Sequence, residues 1–311
     1  MTKIVGLLIA RDEEVCIGMT IDTARFIVDE IVFVNHASKD GTAEIVREKC
    51  KQYDIKLHEL NAELDNYIIA VRKMCLDYAW NLDADYFLTM DGDMIYYKPE
   101  EIRALAEKGE YDQYWFVSMN ICGDLEHSSG LNIPHMWMHR KKNRSDTYTY
   151  ENYCVAECTH TSDPNKTRFH AWNLRGIKPY EHIFWMYQQK YCRAWNQKND
   201  TTYSTDAFIK FFFGGNGPDE QYKKVFVLNR LKLWSQNIWK VAEWSGMDED
   251  EFRMKYMQYP QWLKDWKMPY ELLFDLDGTI MERRPDLVNV PVLQDKDIYQ
   301  LRPDFIKEMN L

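Results

Sequence analysis

Residues 3–10, KIVGLLIA, are almost continuously apolar, and so is DEIVFVN at 29–35. Runs of this length without alternation suit strands covered on both faces, as in a parallel sheet. IKLHEL at 55–60 and ADYFLTMDGD at 84–93 predict two further strands, the last ending in acid. Between and after these runs, apolar residues recur at helical spacing in EEVCIGMTIDTARFI, AEIVREKCKQY, NYIIAVRKMCLDYAWNL and PEEIRALAEKG. The last opens with Pro in its first turn, and HASKDGT supplies a turn with helix-start chemistry. Strand and helix thus alternate four times within about 110 residues. That predicts an α/β fold with a doubly wound, mostly parallel sheet and right-handed crossovers. Ligands of such sheets bind beyond the carboxyl ends of the strands. Here those ends carry Arg11 and Asp12, Asn35 and His36, and Asp91 and Asp93.

The pattern changes after residue 110. Residues 111–175 hold short strand candidates, YWFVSMN, HMWMHR and YTYENYCVAE, separated by polar turns. Residues 181–270 are rich in Trp, Tyr and Lys at helical spacing, and 285–311 is broken by Pro285, Pro291 and Pro303. The expected organisation is one domain over 1–215, with halves 1–120 and 121–215. A mainly helical, aromatic-rich C-terminal extension and tail follow over 216–311.

Composition narrows the function classes. The 311 residues carry a net charge of −10, which disfavours free nucleic acid as a partner. The basic run HRKKNR at 139–144 is local and reads as a solvated loop. Seven scattered Cys, an odd number, and an N-terminus that reads as a first strand predict reduced thiols in the cytoplasm. No run approaches the length of a membrane span. The 20 Tyr, 14 Phe and 11 Trp suit core packing or an acceptor groove on which sugar rings stack.

FLTMDGDMIYY carries the strongest local chemistry. Asp91 and Asp93 lie two apart, so extended backbone would put their carboxylates on one face, and Gly92 between them would let a ligand approach closely. Such a pair suits a hard divalent ion, Mn²⁺ or Mg²⁺, with diphosphate oxygens completing its shell. Alone the motif is weak, since acidic pairs are common in loops.

Three ordered motifs make it specific. LIARDEE on the first strand, VDEIVFVNHASKDGTAEI on the second, and AVRKMCLDYAWNLDADYFLTMDGD resemble the family 2 glycosyltransferases of GT-A fold. The resemblance covers residues 3–120 well and 121–215 loosely. It implies transfer of a sugar from a nucleotide-diphosphate sugar to an acceptor. It implies that Ala10, Arg11, Asp12 and Glu13, with Asn35 and Ser38, hold base and ribose, and that Arg72 faces the nucleotide. Asp91 and Gly92 would approach the ribose and cation, and Asp93 would ligate the cation directly. The family often has Asp where this chain has Asn35. An amide oxygen still accepts from uracil N3–H, though without charge, so a UDP-sugar is the favoured donor.

By the same resemblance His170, in TRFHAWNLRGIKP, stands where a third metal ligand is often found. A zinc reading of Cys154, Cys158, His160 and His170 lacks a standard spacing. Transfer with inversion needs a carboxylate to take the acceptor proton. Glu157, Asp124 and Asp163 are the candidates, and Glu126 lies beside them. The acceptor is a glycan, lipid, protein or small molecule. Rival readings are a nucleotidyltransferase and a non-catalytic sugar-nucleotide-binding protein. A third is a haloacid-dehalogenase-type phosphatase, suggested by FDLDGT at 274–279. The first usually has a Gly-rich loop that LLIARDEE lacks. The third lacks room, since only 34 residues follow Asp277.

Overall fold

In a computed structural model, the structure describes residues 2–63, 68–122, 124–131, 135–141, 168–176, 180–215, 217–220, 222–223, 226–227 and 236–266. The apolar runs form β1 (Ile4–Ala10) and β2 (Glu30–Asn35), with β3 (Lys56–Asn61) and β4 (Tyr86–Asp91) beyond them. All seven β1 residues are buried, as an unalternating run requires. The four pair in parallel in the order β3-β2-β1-β4, with Leu7 facing Val32 on one side and Thr89 on the other. The helices between them are α1 (Ile17–Ala24), α2 (Thr42–Gln52) and α3 (Ile68–Ala79), and α4 (Pro99–Lys108) follows. On α1, Ile17, Thr20, Ile21 and Ala24 are buried, the spacing of one helix face. One cluster packs α1, α2 and α4 on one face of the sheet, and a second packs α3 on the other.

Beyond β4 the sheet becomes mixed. Its further strands are β5 (Met94–Tyr96), β6 (Gln113–Cys122), β7 (Asp124–Leu131), β8 (His135–Arg140), β9 (Arg168–Gly176) and β10 (Gln236–Asn237). β8 pairs antiparallel with β4 and β6, β7 with β6 and β10, and β5 with β9, while β9 runs parallel to β6. The carboxyl ends of β6 and β9 and the start of β7 therefore lie at the same end of the sheet as the carboxyl end of β4.

HRKKNR begins inside the sheet rather than in a solvated loop. His139 is fully buried on β8, opposite Phe87 of β4 and Gln113 of β6, and its ring lies 5.4 Å from Phe87. Burial lowers its pKa to about 3. Arg140 Nε donates to the Tyr86 hydroxyl at 3.0 Å, and Lys141 Nζ to the Leu82 carbonyl at 2.6 Å.

Helices α5 (Tyr180–Asn199) and α6 (Thr205–Phe213) form an aromatic cluster of their own with Tyr222, Phe226 and Val227. Helices α7 (Ile238–Trp244), α8 (Glu249–Tyr256) and α9 (Gln261–Lys264) instead join the sheet. Val241, Phe252, Tyr256 and Leu263 share a cluster with Ile95, Met119, Ile121 and Trp172. The Trp172 indole N–H donates to the Tyr256 carbonyl at 2.7 Å. The aromatic-rich C-terminal region is thus partly integral to the face of the sheet formed by β5, β6 and β9.

Candidate active site at the carboxyl ends of β1, β2 and β4

The loops after β1 and β2 are zipped together. Asp12 N–H donates to Ser38 Oγ at 3.2 Å, and Lys39 N–H returns to Asp12 Oδ1 at 2.7 Å. Glu13 N–H reaches Thr42 Oγ1 at 2.7 Å, Glu14 N–H reaches Asp40 Oδ2 at 3.0 Å, and Gly41 N–H reaches Glu14 Oε2 at 2.9 Å. Asp12 and Ala37 both sit at positive φ, 53° and 54°, where short or small side chains cost least. Asp40 also accepts from Thr42 N–H at 3.0 Å, so it works as a turn and helix-start residue. Ser38 and Asp12 are therefore committed to holding the loop pair in shape. Asn35, at the end of β2, accepts Ser38 N–H on Oδ1 at 2.9 Å. Its amide oxygen braces the turn, which makes the NH₂ group the donor end of the side chain.

Arg72, on α3, donates from Nη2 to Asp91 Oδ1 at 2.6 Å. Both side chains are largely covered, 14% and 27% exposed, which favours a strong charge-assisted bond. The expected nucleotide-facing Arg is thus, in this structure, the partner of the first acid.

The acidic motif is not extended. Asp91 ends β4, and Gly92 and Asp93 form the turn into β5. Gly92 does not leave space for a ligand. A Cβ there would lie 2.9 Å from Ala10 Cβ and 3.0 Å from Glu13 Cγ and Ile17 Cδ1. The glycine is required because the β1–α1 loop packs directly on the turn, and Thr20 Oγ1 donates to the Gly92 carbonyl at 2.9 Å. Asp93 is buried, and its carbonyl accepts Leu174 N–H of β9 at 2.8 Å.

His170 lies elsewhere than the third-ligand reading requires. The β5–β9 register sets it opposite Tyr97, four residues past Asp93, about 13 Å along the strand. It is fully buried, stacked 5.0 Å from Phe116, and Nδ1 lies 2.7 Å from the Val117 carbonyl. A carbonyl only accepts, so Nδ1 carries the hydrogen. Among the described residues, no group of three or more His, Cys, Asp or Glu is placed to hold a metal ion. Asp91 and Asp93 remain a fitting pair of hard oxygen donors for Mg²⁺ or Mn²⁺, with diphosphate and water oxygens to complete a shell.

Of the base candidates, Asp124 opens β7 at the site's end of the sheet. Glu157 and Asp163 lie outside the described residues, as do Cys154, Cys158, His160 and FDLDGT. Glu126 is ion-paired at 2.7 Å with Arg253 of α8. That pair borders a cleft of about 550 Å³ lined also by Met254, Met257, Tyr259 and Lys264.

Three neighbours escaped sequence reasoning. Tyr96, at the end of β5, is buried, and its hydroxyl is held protonated by burial and by the nearby charges of Asp91 and Asp93, which keep its pKa well above the usual phenol range. Trp185 of α5 lies under the Arg11 guanidinium, 3.4 Å from carbon to ring centroid. His182 Nε2 is 3.8 Å from Glu13 Oε1. The crowding of Trp and Tyr after residue 172 pointed to aromatic contacts, but not to their partners.

Residues 8–161 match the model of the family described as Glycosyl transferase family 2. No curated protein sequence matches the chain. Among solved structures, the chain is similar to S. aureus TarS at 13% identity, covering 75% of this chain and 49% of that one, with a TM-score of 0.39. It thus spans about half the length of that TarS chain. It is also similar to TarS 1-349 in complex with UDP-GlcNAc, at 14% identity, covering 100% and 92% of the two chains, with a TM-score of 0.39. A third likeness is to glucosyl-3-phosphoglycerate synthase from Mycobacterium tuberculosis in complex with Mn²⁺, UDP and phosphoglyceric acid. That one stands at 17% identity, 39% and 43% coverage and a TM-score of 0.24. At these values the structural likenesses are too distant to bear on function.

Proposed function

Since residues 8–161 place the chain in glycosyl transferase family 2, we propose that it is a glycosyltransferase that uses a nucleotide-diphosphate sugar, a UDP-sugar first, and transfers with inversion to an acceptor hydroxyl. The observation that carries this reading is the packing of the Asp91-Gly92-Asp93 turn under the β1–α1 loop. It brings two acids, Arg72 and the zipped loops of Asp12 and Ser38 to one strand end. Asp91 and Asp93 would hold a divalent cation, which when bound supplies Lewis-acid stabilisation of the departing diphosphate.

The chain's own groups do the rest. Asn35 offers its amide N–H to a carbonyl of the base, and the residue 10–13 segment lies against the nucleoside. Arg72 fixes the Asp91 carboxylate and contributes positive charge where the diphosphate gains negative charge. The acceptor oxygen forms a bond to the anomeric carbon as the bond from that carbon to the diphosphate oxygen breaks. The electron pair leaves with the nucleoside diphosphate. The acceptor proton passes to a carboxylate, for which Asp124, Glu157 and Asp163 are the candidates. Family membership argues against the nucleotidyltransferase and phosphatase readings.

No helix among the described residues is long and apolar enough to cross a membrane. Cys16, Cys50, Cys75 and Cys192 are buried free thiols, which supports a reducing, cytoplasmic setting. The acceptor class stays open among glycan, lipid, protein and small molecule.

The test is a hydrolysis screen of nucleotide sugars with Mn²⁺ and with Mg²⁺, which reads donor and cation without an acceptor. Asp93→Ala should abolish hydrolysis. Full activity of that variant would refute the assignment of the acidic turn.

A further inference from the structure

The cleft between β7 and helices α8 and α9 offers a ligand more than the acidic turn uses. Its volume of about 550 Å³ falls in the range of small-molecule pockets. Met257 and Tyr259, both buried, give it an apolar floor, and Glu126, Asp250, Arg253 and Lys264 give it a wall with two charges of each sign. The floor is fixed from outside the cleft, because the Tyr259 hydroxyl donates to the Leu125 carbonyl at 3.2 Å. Arg253 is fixed as well. Its Nε donates to Glu249 at 2.9 Å and its Nη2 to Glu126 at 2.7 Å, while Nη1 meets the Met257 sulfur at 3.8 Å. A thioether is a weak acceptor, so Nη1 is a held donor at the cleft floor with capacity to spare. The side chains of Asp250 and Lys264 are exposed and have no hydrogen-bond or ion-pair partner among the described residues.

The four charges cancel, so the wall prefers neither an anion nor a cation. An apolar ligand would desolvate them without replacing their partners. Hydroxyl groups both donate and accept. A polyol therefore meets Asp250 with its hydrogens and Arg253 and Lys264 with its oxygens, and lays C–H faces on Met257 and Tyr259. A peptide strand would need an open sheet edge, and β10 takes that of β7 at His127 and Ser128. The cleft also adjoins the candidate site. Glu126 follows Asp124 by two residues on β7, about 7 Å along the strand. The Tyr259 ring is 5.2 Å from that of Trp172, which pairs with Ile95, two residues past Asp93. We propose that this cleft binds a carbohydrate chain and holds the part of a saccharide acceptor remote from the reacting hydroxyl. The acceptor role rests on the glycosyltransferase reading. The ligand class does not, since α8 and α9 lie outside the family-matched residues 8–161.

The test is saturation-transfer NMR on the whole chain without donor. The probes are maltotetraose, cellotetraose, chitotetraose and mannotetraose, with tetraalanine as the peptide control. At least one saccharide should bind, and Asp250→Ala and Lys264→Ala should each weaken it about tenfold, the loss expected for one charged hydrogen bond. Both residues are exposed, so both variants should unfold at the temperature of the unaltered chain. Saccharide binding that neither variant alters places the sugar elsewhere and overturns the proposal. Binding of tetraalanine alone, or of no probe, overturns it too. If a saccharide binds in the cleft but no nucleotide sugar is hydrolysed in the donor screen, the acceptor role falls with the glycosyltransferase reading and the carbohydrate site stands.

Discussion

The Arg11 guanidinium lies 3.4 Å over the Trp185 ring, and one turn earlier on the same helix His182 stands 3.8 Å from Glu13. Two residues three apart on α5 therefore grip two residues two apart in the β1–α1 loop. Cation–π contacts of this kind are worth about 0.5–2 kcal/mol. Trp185→Ala should raise the donor KM about two- to thirtyfold with a smaller effect on kcat, read from donor-hydrolysis kinetics. Trp185→Phe keeps a ring under Arg11 and should retain most of the affinity.

Arg72→Ala leaves Asp91 without its 2.6 Å partner. Donor hydrolysis should fall at least about tenfold, and Arg72→Lys should recover only part of it, because a point charge does not reproduce the fork. Equal rates in Arg72→Ala and the unaltered chain would show that the pair is a surface ornament.

Gly92→Ala tests whether the turn is packed or open. The added methyl would meet Ala10, Glu13 and Ile17 at 3.0 Å or less. A loss of about 1–3 kcal/mol in urea unfolding is expected. Stability equal to that of the unaltered chain would mean that the glycine serves ligand access instead.

Two buried groups shape the acid limb of stability. His139 falls from an ordinary 6.5 to about 3 through burial, so the unfolded chain binds the extra proton. Its contribution is complete above pH 6.5 and is lost as pH falls towards 3, with a slope of up to about 1.4 kcal/mol per pH unit. Burial alone would raise Glu30, but hydrogen bonds from Lys3, His58 and Lys56 outweigh it and lower the pKa from 4.5 to about 2. That contribution is complete above pH 4.5 and is lost as pH falls towards 2. Chemical unfolding across pH should show His139→Leu flattening the upper part of the limb and Glu30→Gln the lower.

The elements legible in the sequence were those whose burial is local. β1, β2 and β4 are unbroken apolar runs, and the turn acids follow from where β4 must stop. β7 was missed because DLEHSSGL neither alternates nor runs apolar, and its strand form depends on β6 and β10 beside it. RFHAWNLRG was read for a ligand at His170, yet its register on β5 carries that ring away from Asp93. No spacing rule reports a partner more than 70 residues off, so the links of Tyr96 to Thr23, and of Trp185 to Arg11, appeared only with the fold.

β10 is two residues long, yet it pairs Gln236 and Asn237 with Ser128 and His127 along β7. An uncovered strand edge is a template for another chain to add to. A piece ending at residue 215 would keep β9 but lose β10 and α7–α9, baring that edge beside Ile95, Met119 and Trp172. Such a piece should self-associate when expressed, so shortening the chain to residues 1–215 trades size for stickiness, and grafts of its β1–α1 and β2–α2 loops belong in the whole 311-residue chain.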